Sequence, residues 1–130
     1  NVIFEGLTRK DGTPGLLIDA CVAGLLRMCV SNALAYEYVD VLSRKLSAER
    51  WESLQPVLGR LLKDAEFVTI YYSWRPISPD PGDDHVIDCA MNGAAKVITL
   101  NIRDFKLAEE SLGLEVLTPE EAVEELAEGG

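Results

Sequence analysis

Short apolar runs set between segments of helical periodicity are the feature that most restricts what this chain can fold into. Leu26–Val30 (LRMCV), Glu66–Tyr72 (EFVTIYY), Lys96–Leu100 (KVITL) and Leu114–Leu117 (LEVL) are brief and rich in β-branched, aromatic or aliphatic residues, and read as strands. Gly15–Leu26 (GLLIDACVAGLL), Ala33–Lys45 (ALAYEYVDVLSRK), the stretch opening at Ser47 and Asp83–Asn92 (DDHVIDCAMN) place apolar residues three and four apart and read as helices. Ser31-Asn32 and Ser47 offer N-caps, Thr118-Pro119-Glu120-Glu121 opens a last amphipathic helix, and Phe105–Leu112 is a helical turn or two. Pro56 is expected to kink or split the helix that begins near Ser47. Strands that alternate with helices in this way predict an α/β fold, a three-layer sandwich around a parallel sheet. With 130 residues, 48% of them hydrophobic, residues 1–130 suffice for a single domain with a real core.

No apolar stretch reaches the roughly 18 residues of a membrane span. Cys21, Cys29 and Cys89 lack C-x-x-C spacing and sit among Ala, Val and Met, so a reducing, cytoplasmic setting is expected. The formal charge of −10 argues against a nucleic-acid partner until its distribution is considered. Eight acids and no base follow Lys106, whereas the residues up to Lys106 carry a balance of only −2. Acids gathered in a metal site would leave the rest of that surface slightly basic.

Four acids fall near junctions where strands give way to helices, the places where parallel α/β sheets build sites. Glu37 follows the Leu26–Val30 run, Asp83 and Asp84 open the helix after the proline-rich loop, and Asp104 follows Lys96–Leu100. Asp88 lies one turn beyond Asp84 on the same face. Carboxylates drawn into one crevice repel unless protonated or balanced by a cation, and hard oxygen ligands suit Mg²⁺ or Mn²⁺. Each of these acids read alone is a helix cap or a solvated side chain. His85 is the only histidine, which leaves multi-His zinc and Ser-His-Asp chemistry without support. Tyr71, Tyr72 and Trp74 could stack on bases, although packing at a strand end is the plainer expectation.

Taken in chain order, these segments resemble the PIN-domain ribonucleases. Asn1-Val2-Ile3 resembles the end of that family's opening motif, in which an apolar strand leads into Asp-Thr-Asn or Asp-Ser-Asn. Ser31 to Tyr38, with Val41-Leu42-Ser43-Arg44, is similar to the segment carrying the second acid; Asp80 to Ile87 is similar to the D-P-x-D-D segment. Val97 to Phe105 looks like the T-x-N-x-x-D-F ending, and Val116 to Glu121 has the form of the family's tail. The resemblance is nearest to the toxin components of prokaryotic toxin–antitoxin pairs.

That resemblance implies a sheet of about five strands whose central first strand precedes Asn1 and ends in a further aspartate. It implies that Glu37, Asp84 and Asp104 are catalytic acids and ligands of Mg²⁺ or Mn²⁺. Thr99 and Asn101 would shape the metal's surroundings, Asp83 and Asp88 would be outer ligands, and Asn1 would support the first aspartate. The implied reaction is hydrolysis of single-stranded RNA, with a cognate antitoxin protein as partner. A homodimer or an antitoxin complex is expected from Trp51, Leu54, Leu58 and Leu61, which supply an apolar helix face for docking unless all four face the core. The alternative is a PIN-like module that has lost catalysis and only binds RNA or protein. A response-regulator receiver would need a phospho-accepting aspartate and a lysine at strand ends, and neither position is filled.

Overall fold

The computed structural model describes residues 2–9, 11–73 and 81–129. In chain order the elements are α1 (Val2–Thr8), α2 (Thr13–Val22), β1 (Cys29–Val30), α3 (Asn32–Lys45), α4 (Ala48–Asp64), β2 (Glu66–Phe67), α5 (Pro81–Gly93), β3 (Val97–Ile98), a 3₁₀ turn (Ile102–Phe105), α6 (Lys106–Leu112), β4 (Val116–Leu117) and α7 (Pro119–Gly129). The segments expected to be helical are so, except that the first ends at Val22 and leaves Ala23–Leu26 in a turn, and each of the four expected strands is present in shortened form. Asn1, Trp74 and Asp80 lie outside the described residues.

Local chemistry accounts for most of the helix ends. Ser31 Oγ accepts the Leu34 N–H at 3.3 Å and Ser47 Oγ the Arg50 N–H at 3.2 Å, satisfying donors that the first turns of α3 and α4 leave open. Thr118 and Glu121 exchange hydrogen bonds of 2.9 and 3.1 Å in a reciprocal capping box for α7. Gly113, at φ 71°, ends α6 in the left-handed conformation that glycine adopts without strain. Pro56 does not split α4, which runs unbroken from Ala48 to Asp64. The proline lies on the exposed side of the helix, and so does Glu52 one turn earlier, whose carbonyl loses its helical partner on a face where water can replace it.

α1 was not anticipated, since Asn1-Val2-Ile3 reads as the close of a strand motif. It is seated by Gly6, which approaches α2 so closely that an added Cβ would lie 2.5 Å from Ile18 Cγ1 and 2.7 Å from the Pro14 carbonyl oxygen. Arg50 from the start of α4 donates to the Thr8 carbonyl at 2.9 Å, completing the C-terminal end of α1.

The sheet differs from the continuous five-stranded layer expected. Among the described residues, β1 pairs in parallel with β2 (Cys29 with Glu66, Val30 with Phe67) and β3 with β4 (Val97 with Val116, Ile98 with Leu117), and the two ladders do not join. Between them is an apolar slot of about 440 Å³, walled by Ile3, Ile18, Cys29, Cys89, Val97 and Leu117 among others. β2 is short because the chain leaves the ladder after Val68. The Asn92 side chain takes it over, accepting the Tyr71 N–H at 3.0 Å and donating to the Tyr72 carbonyl at 2.9 Å. Tyr71 is 87% exposed and Tyr72 61%, so neither packs at a strand end as the sequence suggested.

The hydrophobic core has three centres. Leu7, Ile18, Leu42, Leu58 and Leu61 unite α1 to α4; Val30, Leu34 and Cys89 lie around β1; Ile87, Ala90, Val97, Phe105, Ala108, Leu114 and Val116 unite α5, β3, β4 and α6. The α4 face named above for docking points into the first of these. Leu58 and Leu61 are buried, and Trp51 and Leu54 are half-buried against them. α5 touches both β1 and β3, and so bridges the two ladders. No described helix is long and apolar enough to cross a membrane.

Candidate active site

A crevice of about 490 Å³ opens where β3 ends, and α1, α3 and the first turn of α5 form its other walls. Three acids singled out from sequence line it: Glu37 from the second turn of α3, Asp83 from the start of α5, and Asp104 from the 3₁₀ turn after β3. Thr99 and Asn101 line it as well.

The β3 side is built by a tight local network. Thr99 N–H continues the ladder by donating to Leu117 O at 3.0 Å, and the side chain is only 3% exposed. Its Oγ1 accepts the Asn101 N–H at 3.0 Å, turning the chain sharply out of the strand. The Asn101 carbonyl then accepts the Asp104 N–H at 3.1 Å, closing the turn that presents Asp104. The Thr99 hydroxyl and the Asn101 backbone thus hold the turn that carries Asp104.

Asp84 and Asp88 are placed differently from Asp83. They are 4% and 2% exposed, and neither lines the crevice. One residue of helix is about 100° of rotation, so Asp83 and Asp84 cannot share an orientation, whereas Asp84 and Asp88 do. Tyr38, next to Glu37, also faces the crevice. Burial first, then the nearby Cys89 and Glu37, pushes its phenol well above the ordinary value and keeps it a neutral hydrogen-bonding group.

Sequence reasoning missed two charged crevice residues. Glu5 enters from α1 and Lys45 from the last turn of α3. Lys45 had a readable signal, because Glu37, Val41 and Lys45 stand four apart on one helix face.

A family model described as the PIN domain matches residues 1–103 of the chain. The chain belongs to the PIN-domain family. The match covers Glu37, Asp83, Asp84, Asp88, Thr99 and Asn101 and ends one residue before Asp104. No curated protein and no solved structure matches the chain. PIN domains are in general nucleases, hydrolases of phosphodiester bonds, and typically use divalent metal ions, which agrees with a crevice lined by carboxylates.

The donors of this PIN domain fit such an ion in kind. Carboxylates with a threonine and an asparagine beside them are hard oxygen ligands of the type that Mg²⁺ and Mn²⁺ prefer. Among the described residues, however, no three His, Cys, Asp or Glu side chains converge closely enough to hold one ion directly. Mg²⁺ commonly keeps several waters and takes only one or two carboxylates, a mode that Asp104 with Glu37 or Asp83 can supply.

Proposed function

We propose that the protein is a metal-dependent endoribonuclease that hydrolyses phosphodiester bonds of single-stranded RNA. The observation that carries this reading is the gathering of Glu37, Asp83 and Asp104 around the Thr99–Asn101 turn in one open crevice. When bound, Mg²⁺ or Mn²⁺ supplies an activated water and neutralises charge on the scissile phosphate. Glu37 and Asp104 would hold it with Asp83 beside them, and Asp84, the acid that the resemblance assigns to the site, stands one residue on in the first turn of α5. The Thr99 hydroxyl holds the turn from which Asp104 extends. No covalent enzyme intermediate is required.

The three-layer sandwich of about five strands is part of this proposal. An extended apolar segment seated between β1 and β3 would join the two ladders into one parallel sheet and end at the crevice, where a further carboxylate on it would complete the donor set. The resemblance to toxin components extends the reading to a cytoplasmic toxin with a cognate antitoxin protein and a homodimeric state, which light scattering and copurification from the native host would test.

Cleavage of a labelled single-stranded RNA in Mg²⁺ or Mn²⁺, its loss with EDTA, and its loss in Asp104→Asn and Glu37→Gln are the expected results. RNA binding without cleavage under every metal condition would replace the enzyme by the binding module.

A further inference from the structure

We propose that Lys45 is the phosphate-binding residue of the crevice, gripping the backbone of a bound single strand at a distance from the acidic centre. This rests on the nuclease reading above. Among the described residues, the charged side chains that line the crevice are Glu5, Glu37, Asp83 and Asp104, all acidic, and Lys45. A polyanion entering such a crevice meets an acid on each described wall, and Lys45, at the end of α3 away from Glu37, is the described cation that can attract it.

The geometry suits that task. Lys45 follows Glu37 by eight residues on α3, which at the helical rise places it about 12 Å along the axis from that acid. A strand whose scissile phosphate lay by Asp104 and Glu37 would therefore meet Lys45 with a different phosphate, farther along the chain. The ammonium is positioned: Nζ stands 5.5 Å from the centroid of the Phe4 ring on α1, a cation–π distance. Glu5, the nearest acid on α1 in sequence, is engaged by Arg9, whose Nε lies 3.6 Å from its carboxylate. An ammonium is a point charge that reads no base, so this contact holds strands of any sequence.

Cleavage of a 5′-labelled oligouridylate in Mg²⁺ across a series of KCl concentrations tests the assignment. Lys45→Gln is expected to raise KM about five- to tenfold, leave kcat within about twofold, and flatten the dependence of log(kcat/KM) on log[KCl] by about 0.7, the single-strand value for one lost phosphate contact. Lys45→Arg should restore the slope. Equal slopes for the wild type and Lys45→Gln, with both folded by thermal melt, overturn the phosphate contact and leave the nuclease reading intact. A wild-type protein that cleaves no single-stranded RNA overturns the nuclease reading, and the contact with it.

Discussion

Replacing Gly6 and Gly59 by alanine should move stability in opposite directions, although both glycines lie inside helices. Alanine is favoured over glycine in a helix interior by about 1 kcal/mol, because glycine loses more backbone freedom on folding. At Gly59 on α4 a new Cβ meets nothing within 4 Å, so most of that gain should be realised. At Gly6 the same Cβ would lie 2.5 Å from Ile18 Cγ1 and 2.7 Å from the Pro14 carbonyl oxygen. The isoleucine can turn away, but the backbone oxygen cannot move without carrying the first turn of α2 with it. Relief of this contact requires α1 and α2 to separate, an overpacking cost of about 3 kcal/mol against the gain of about 1, leaving a net loss of about 2. For a chain of this length that corresponds to a fall in Tm of about 6–10 °C, against a rise of about 3–5 °C for Gly59→Ala. Urea unfolding followed by far-UV circular dichroism would measure both. A Gly6→Ala protein as stable as Gly59→Ala would refute the close approach of α1 to α2, and with it the wall that brings Phe4 and Glu5 to the crevice.

The acids allow a sharper test of the first turn of α5: calorimetric titration with Mn²⁺ should show a loss of affinity in Asp104→Asn and Asp83→Asn through removed ligands, and unchanged affinity in all of Asp83→Asn, Asp84→Asn and Asp104→Asn would remove the crevice from consideration as a metal site. Ile87→Ala should cost about 3–4 kcal/mol, since the side chain is fully buried between α5 and the β3–β4 ladder; a loss below about 1 kcal/mol in urea would mean that this core is not packed as described. Burial, with a smaller contribution from Cys29, pushes the Cys89 thiol up to about 11 from 9.0. Because the unfolded chain ionises first, the stability owed to the protonated thiol is complete below about pH 9 and is lost as pH rises towards 11; Cys89→Ala should flatten that part of the pH–stability curve, and a wild-type curve already flat there would count against the shift.

What the sequence made legible was largely local. Ser31, Ser47 and the Thr118–Glu121 pair announce their helices because a cap needs only residues a few places apart. The strands were recognisable from β-branched content but not in length, because what ends β2 is the Asn92 amide, twenty residues away in sequence. In the crevice, the Thr99-x-Asn101 turn and Asp104 could be read from spacing. That Asp83 lines the crevice while Asp84 is buried could not, because it depends on how α5 is rotated against β1 and β3, a matter of tertiary packing. Phe4 and Glu5 were invisible as crevice residues, since only the packing of Gly6 on α2 carries them there.

The bridging position of α5 has a consequence for how the molecule opens. Among the described residues the β1–β2 and β3–β4 ladders share no hydrogen bond, so cooperativity between the halves they anchor passes through side-chain packing, of α5 against both ladders and of α2 against α7. Amide exchange should therefore resolve two protected units with separate opening free energies, and weakening α5 should widen the gap between them. Glu37 belongs to the α3 wall, adjoining the first unit, while Thr99, Asn101 and Asp104 belong to the second. The crevice lies on the seam, and the spacing of its carboxylates is set by how tightly α5 and the α2–α7 contact hold the two units together.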